Sequence, residues 1–211
     1  MNKLLRIGRA TAVEIPDVSA LIAAAIAPQP LGAWPVPDPG RRGPVLAAWA
    51  RIWTEHAFLW GDIHLLDNRT AVAVWLPHDR ETPGPVDYRR RLTAACGEYL
   101  HQFQHLDEQL ANHHPTQAHT QLVFLATHPG HQRQGHADAL LRYRSEHPRR
   151  LGEPTCGHVI TTAGRRLLSA HGYVKREPIT LPAEEGQIVP MWRDCQEPIR
   201  SNPQLPLPSE G

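Results

Sequence analysis

Three groups of residues have the types and spacing to do chemistry. The first is the loop Gln132, Arg133, Gln134, Gly135, His136 and Ala137, which follows the turn residues His128, Pro129 and Gly130. The first amides of a helix lack intrahelical partners and sit at the positive end of its dipole. Small residues at Gly135 and Ala137 would let an anionic group come close to that backbone. The second group is Cys156 and His158, two positions apart on an expected strand, where an imidazole could activate a thiol. The third is His101 and His105, one helical turn apart, with His113 and His114 close behind, which could offer two metal ligands from one helix face.

Each group also has a plainer reading. Residues two apart on a strand are separated by about 6.5–7 Å, too far for a direct hydrogen bond, and a lone Cys156 is more often a small core residue. No carboxylate or thiolate completes the histidines into a metal motif, so a solvated helix face is favoured and no metal is expected. The loop could be an ordinary turn between strand and helix. It is not a Walker loop, because no Lys follows its glycine, and no G-x-G-x-x-G is present.

Placing the loop requires a strand before it and a helix after it. Leu122 to Ala126 form a short apolar run suited to a buried strand, and Ala139, Leu140 and Leu141 start the expected helix. Upstream, Leu4 to Arg9 form a first strand with Leu5 and Ile7 on one face. Val18, Leu21, Ile22 and Ala25 fall at helical spacing. Pro28, Pro30, Pro35, Pro37 and Pro39 break regular structure around Trp34, in a segment that could be a substrate lid or a surface crossover. Val45 to Trp60 read as a second helix. Ile63 to Leu66 and Ala71 to Leu76 read as a hairpin turning at Asp67 and Asn68, and Tyr88 to Leu110 as one long helix. Downstream follow a strand at Thr155 to Thr161, a helix at Ala163 to Ala170 ended by Gly172, and an antiparallel pair at Val174 to Leu181 and Gln187 to Trp192. The order is that of an α/β chain with a single mixed central sheet flanked by helices.

The 211 residues suit one domain, expected over 1–196, with a proline-rich tail at 197–211 expected to be disordered. A formal net charge of +1 gives no reason to expect nucleic acid or an anionic membrane as partner. Cys96, Cys156 and Cys195 are odd in number and unpatterned, which points to reduced thiols. The start has no apolar core long enough for a signal peptide, so a cytoplasmic protein is expected.

QRQGHA matches Q/R-x-x-G-x-G/A, and the chain from Leu4 to Arg193 resembles the GNAT superfamily of acyl-CoA N-acyltransferases. AVAVWLP at Ala71 to Pro77, FLATHPGHQRQG at Phe124 to Gly135, LLSAHGYV at Leu167 to Val174 and MWR at Met191 to Arg193 resemble the actinobacterial branch that contains puromycin N-acetyltransferase. The resemblance implies a splayed central strand pair, with Leu125, Ala126 and Thr127 pairing their backbone with the pantetheine arm of acetyl-CoA or another acyl-CoA. It implies pyrophosphate held by the amides of Gln132, Arg133, Gln134, Gly135, His136 and Ala137. Arg142, Arg165 and Arg166 are candidates for the outer phosphate, or simply a solvated basic face. Trp34, Trp49, Trp53 and Trp60 lie in the third of the chain where the family builds its acceptor pocket.

Three positions depart from the family. Gln121 stands where some members carry a glutamate general base. Leu168 stands where the family usually has a tyrosine that protonates the leaving thiolate, with Gly164 in place of the accompanying asparagine. An unperturbed thiol has a pKa of about 8.5, so it can leave as thiolate near neutral pH at a cost of about 2 kcal/mol. General acid–base help is worth roughly 10² to 10⁴-fold, whereas positioning can contribute about 7–11 kcal/mol, so transfer can survive these losses. His119 or His158 could take the base role, since histidine titrates in the right range. Tyr143 and Tyr173 are candidates for a displaced acid. The implied activity is transfer of an acyl group to a primary amine of a small molecule by direct attack, in antibiotic resistance or natural-product biosynthesis, by a monomer or homodimer. The alternatives are a GNAT-like protein that binds CoA without efficient transfer, and a GNAT fold put to a different biosynthetic reaction.

Overall fold

The expected hairpin forms between β2 (Asp62–Leu66) and β3 (Ala71–His78), and its turn places Arg69 at φ +56. A computed structural model describes residues 6–79, 81–146, 153–180 and 187–194. Alternation along β3 sets up two layers. Val72, Val74 and Leu76 enter one apolar core, and Ala71, Ala73 and Trp75 enter another on the opposite face. The first core is covered by α1 (Ile15–Ile26), α3 (Pro39–Trp60), α4 (Tyr88–Cys96) and α5 (Leu100–Asn112). The second is covered by α6 (His136–Ser145) and α7 (Thr162–Ala170). One mixed sheet of eight strands flanked by helices results, in the order β1, β2, β3, β4, β5, β8, β6, with β7 also pairing β8.

β4 (His119–Thr127) is the strand on which the site depends. It is antiparallel to β3 throughout, but Val74 faces Phe124 while the next residue, Trp75, faces Leu122. Val123 is therefore an extra residue, a β-bulge, and it reverses the faces of the strand. Leu122 joins the core under α6 and α7, whereas Phe124 and Ala126 join the core under α1 and α3. On its other edge β4 runs parallel to β5 (Thr155–Val159), yet only Thr120–Leu122 pair there, opposite Thr155–Gly157. From Val123 to Thr127 β4 continues with no ladder to β5, which is the expected splayed pair.

Several elements differ from expectation. α3 begins six residues before Val45, because Asp38 caps it by accepting the Gly40 amide and Pro39 suits its first turn. The expected long helix is broken by a 3₁₀ turn at Gly97–Tyr99, with Gly97 at φ +53. The proline-rich segment around Trp34 contains a four-residue helix, α2 (Pro30–Ala33). α6 starts at His136, and α7 starts one residue early because Thr161 accepts the Gly164 amide. β1 spans Ile7–Arg9; Leu4 and Leu5 lie outside the described residues, as do Leu181, Cys195 and 197–211. The expected last hairpin forms, but its first strand is split into β6 (Val174–Lys175) and β7 (Ile179–Thr180) on one edge of β8 (Gln187–Arg193). Pro178, which cannot donate to a ladder, lies in the gap.

Candidate functional site

The gap between β4 and β5 opens a cleft of about 1060 Å³ that reaches both faces of the sheet. Leu125, Ala126 and Thr127 line it from the strand, and Gln132, Arg133, Gly135, His136 and Ala137 from the loop; Gln134 does not. The loop is built from local conformational constraints. His128 accepts the Gly130 amide through Nδ1, while Arg133 at φ +59 and Gly135 at φ +81 turn the chain into the head of α6. His136 is buried, with Nδ1 3.1 Å from Thr70 Oγ1, and Thr70 in turn donates to Asn68 Oδ1 over 2.7 Å. The turn of the β2–β3 hairpin thus pins the loop. That anchoring role of His136 has no local sequence signal, because its partner is 66 residues away.

At the point where β4 and β5 part, Gln121 and His158 meet, and both line the cleft. The Gln121 amide nitrogen donates to His158 Nδ1 over 3.3 Å, so the neutral ring carries its proton on Nε2, a buried atom without a partner among the described residues. Burial pushes the His158 pKa down to about 4, with smaller contributions from His119 and His113. The expected base is therefore held as a neutral N–H donor and is a weaker proton acceptor than ordinary imidazole. His114 and His78 also line the cleft, their ring centroids 3.7 Å apart, and burial lowers His114 to about 3. The other expected base, His119, sits behind them. It is buried, its Nδ1 lies 2.7 Å from the Gln117 carbonyl oxygen, and it does not line the cleft. Sequence reasoning missed three polar cleft residues that matter here: His114, considered only as a metal ligand, and His78 and Asp107, which were given no role.

The remaining candidates sort by placement. Cys156 is buried away from the cleft and burial pushes its thiol up to about 11, so a thiol–imidazole mechanism finds no support. Tyr173 is buried with its hydroxyl accepting from Thr155, and Tyr143 packs on His64 outside the cleft. Leu168 itself lines the cleft, so no hydroxyl stands at the tyrosine position. Arg142 pairs with Asp138, and Arg165 donates to Thr162. Trp49 and Trp53 line the cleft, whereas Trp34 packs edge-on to His105 and Trp60 is exposed. Among the described residues no group of three or more His, Cys, Asp or Glu side chains is arranged to hold a metal ion. No described helix is long and apolar enough to cross a membrane.

The α1/α3 side of the cleft is apolar and aromatic. Trp49 stacks edge-on to Phe124 at 5.4 Å, and Trp53 lies 5.4 Å from the Tyr88 ring. Tyr88 donates its hydroxyl to Asp107 Oδ2 at 2.5 Å.

No protein-family model matches the sequence, and no curated protein matches it. Solved structures do match. An acetyltransferase from Corynebacterium glutamicum, described as histone acetyltransferase HPA2 and related acetyltransferase, aligns over 92% of this chain and 98% of its own, with TM-score 0.71 and 20% identity. Arylalkylamine N-acetyltransferase 2 from Aedes aegypti aligns over 91% and 99%, with TM-score 0.59 and 13% identity. A polyamine N-acetyltransferase from Drosophila melanogaster, which forms N-acetylagmatine, aligns over 90% and 99%, with TM-score 0.56 and 14% identity. The chain has the fold of the GNAT acetyltransferase structures.

Proposed function

We propose that this protein is an acyl-CoA-dependent N-acyltransferase that acylates an amine of a small molecule by direct attack on the thioester. The observation that carries the reading is the parting of β4 from β5 after Leu122 and Gly157, with a through-cleft that runs from the free edge of β4 to the loop Gln132–Ala137. The residues present suit CoA. The β4 edge at Leu125, Ala126 and Thr127 has no β5 ladder and can bond a pantetheine arm, and the unpartnered first amides of α6 suit a pyrophosphate. Arg133 adds positive charge at that end of the cleft.

Acyl-CoA, when bound, supplies the activated carbonyl. The chain's own residues position and desolvate. The apolar wall at Trp49 and Phe124 excludes water around the attacking amine and favours its neutral form, because burial penalises charge. His158 lines the cleft as a neutral ring with its Nε2–H buried, so in this scheme it shapes the site rather than exchanging a proton. Positioning dominates in this scheme, consistent with Leu168 at the usual tyrosine position. The names of the similar structures, which include arylalkylamine and polyamine acetyltransferases, support an amine as acceptor. The sequence resemblance to the puromycin N-acetyltransferase branch favours acetyl-CoA and a role in antibiotic resistance or natural-product biosynthesis, and the unpatterned cysteines suit a cytoplasmic setting.

A second reading has its own observation. The neutral, weakly basic His158 beside Gln121 leaves no carboxylate at that point of the cleft, which would suit a protein that binds CoA without efficient transfer. Calorimetric titration with CoA and acetyl-CoA, followed by thiol release against a panel of amines, separates the two. Binding with amine-dependent release supports the transferase. Binding with no release for any amine supports the second reading. Failure to bind either ligand overturns both.

A further inference from the structure

The α1/α3 side of the cleft contains a carboxylate that the proposed transfer does not use. Asp107, on α5, lines the cleft beside Leu106 and Leu110 and has no ion pair with any described residue. Its one recorded partner is the Tyr88 hydroxyl, at 2.5 Å, and the Tyr88 ring stands 5.4 Å from Trp53. Burial raises the carboxyl's pKa, and the Tyr88 hydrogen bond opposes that rise. A carboxylate oriented by a phenol inside an aromatic wall is an arrangement that attracts a cation, through charge and through the ring faces together.

The surrounding charges agree. Asp79 is the other carboxylate on this part of the wall, and among the described residues neither Lys nor Arg lines it; Arg133 lines the loop side instead. The histidines on the wall do not compensate, because burial lowers the pKa of His56, His78 and His114 and favours their neutral forms. Asp107 also lies apart from the point where β4 and β5 separate. It precedes Asn112, the end of α5, by roughly 8 Å along the helix axis at 1.5 Å per residue, and His114 of the histidine group follows that end.

We infer that the acceptor carries two positive centres joined by an apolar or aryl linker: one amine reaches the acyl group beside Gln121 and His158, and the distal ammonium rests on Asp107 beside the Trp53–Tyr88 wall. This specifies the acceptor class of the proposed transferase and rests on that reading.

The test pairs terminal diamines from butane to decane with monoamines of matching chain length. In wild-type protein, kcat/KM for the best diamine should exceed that of its monoamine at least tenfold. Asp107→Asn keeps an acceptor for the Tyr88 hydroxyl while removing the charge, and should lower that ratio at least tenfold, chiefly through the KM of the diamine. Calorimetry of the same diamines, with CoA present and absent, reads the site without turnover; their Kd should rise at least tenfold in Asp107→Asn. A wild-type protein that shows neither diamine selectivity nor diamine binding overturns the inference, as does a ratio and Kd that Asp107→Asn leaves unchanged. The two readings fail separately. Diamine binding that depends on Asp107 without CoA binding or transfer would sustain this site and sink the transferase. Amine transfer indifferent to the second charge would do the reverse.

Discussion

The Gln121 amide nitrogen and His158 Nδ1 face each other at 3.3 Å where the parallel ladder between β4 and β5 ends. A neutral amide at that position fixes the ring's tautomer without stabilising its charge. Gln121→Glu would do both: its carboxylate would accept an Nδ1 proton and favour the imidazolium. An opposite charge at this range raises a histidine pKa by roughly one to three pH units. The His158 ring-proton resonances, followed by NMR from acid to neutral pH, should titrate near 4 in the wild type and clearly higher in Gln121→Glu. Identical titration curves would show that the two side chains do not interact in solution.

Burial of these imidazoles makes folding pH-dependent, with a definite sign. The folded-state pKa of His158 is depressed from 6.5 to about 4, and that of His114 from 6.5 to about 3. Between those values the unfolded chain binds protons that the folded chain refuses. Stability is therefore fully present above pH 6.5 and is lost as pH falls toward 4. A tenfold change in proton affinity is worth about 1.4 kcal/mol, so His158 alone removes about 3 kcal/mol across that window. Urea unfolding at pH 7.5 and pH 4.5 should show this loss, and His158→Gln should recover part of it. An equal acid sensitivity in His158→Gln would assign the effect to other groups.

What the sequence reveals about this site follows from how far apart the cooperating residues are. The strand, turn and helix start at Leu122–Ala137 are adjacent in the chain, so apolar run, Pro-Gly turn and small residues make them legible. The hairpin at Asp67 and Asn68 was readable for the same reason. The bulge at Val123 was not, because it is a property of registration against β3, which no local pattern encodes. Nor was the separation of His119 from the cleft. His119, His114 and His78 cluster only once α5 delivers its end to the edge of β3 and β4, and their depressed proton affinities arise from that shared burial. Sequence assigned the histidines an ordinary titration range; packing removed it.

Arg144 shows a further contact set by packing over long sequence separation. It is buried, lies 4.4 Å over the Trp75 ring, and pairs with Asp62 at 3.5 Å and Glu153 at 3.0 Å. Sequence reasoning had assigned it no role. Removing Arg144 takes its charge from the partly exposed carboxylates of Asp62 and Glu153 and its packing from the Trp75 ring; breaking a buried pair costs about 3–5 kcal/mol, the upper end for this site. Arg144→Ala should lower stability by that order in denaturant unfolding. Arg144→Lys, which retains charge but not the planar fork over Trp75, should fall between the two. A loss below about 1 kcal/mol in the alanine variant, the level of a surface pair, would mean that the network is hydrated.

Gly135 separates backbone strain from ligand approach. Its φ is +81, and a Cβ added there would meet no atom within 4 Å. Gly135→Ala therefore adds no clash within the chain, and its cost is conformational, about 1–2 kcal/mol for an L residue in the left-handed region. Gly97, at φ +53 with equally open space, provides the control, because it joins α4 to α5 and does not line the cleft. Both alanine variants should lose stability to a similar or, for Gly97, greater extent. Only Gly135→Ala should weaken CoA, by at least tenfold in calorimetry, since its methyl group would stand where the α6 amides meet the pyrophosphate. Equal CoA affinity in the two variants would remove the Gln132–Ala137 loop from the CoA site while leaving the cleft and its Asp107 wall to be tested on their own ligands.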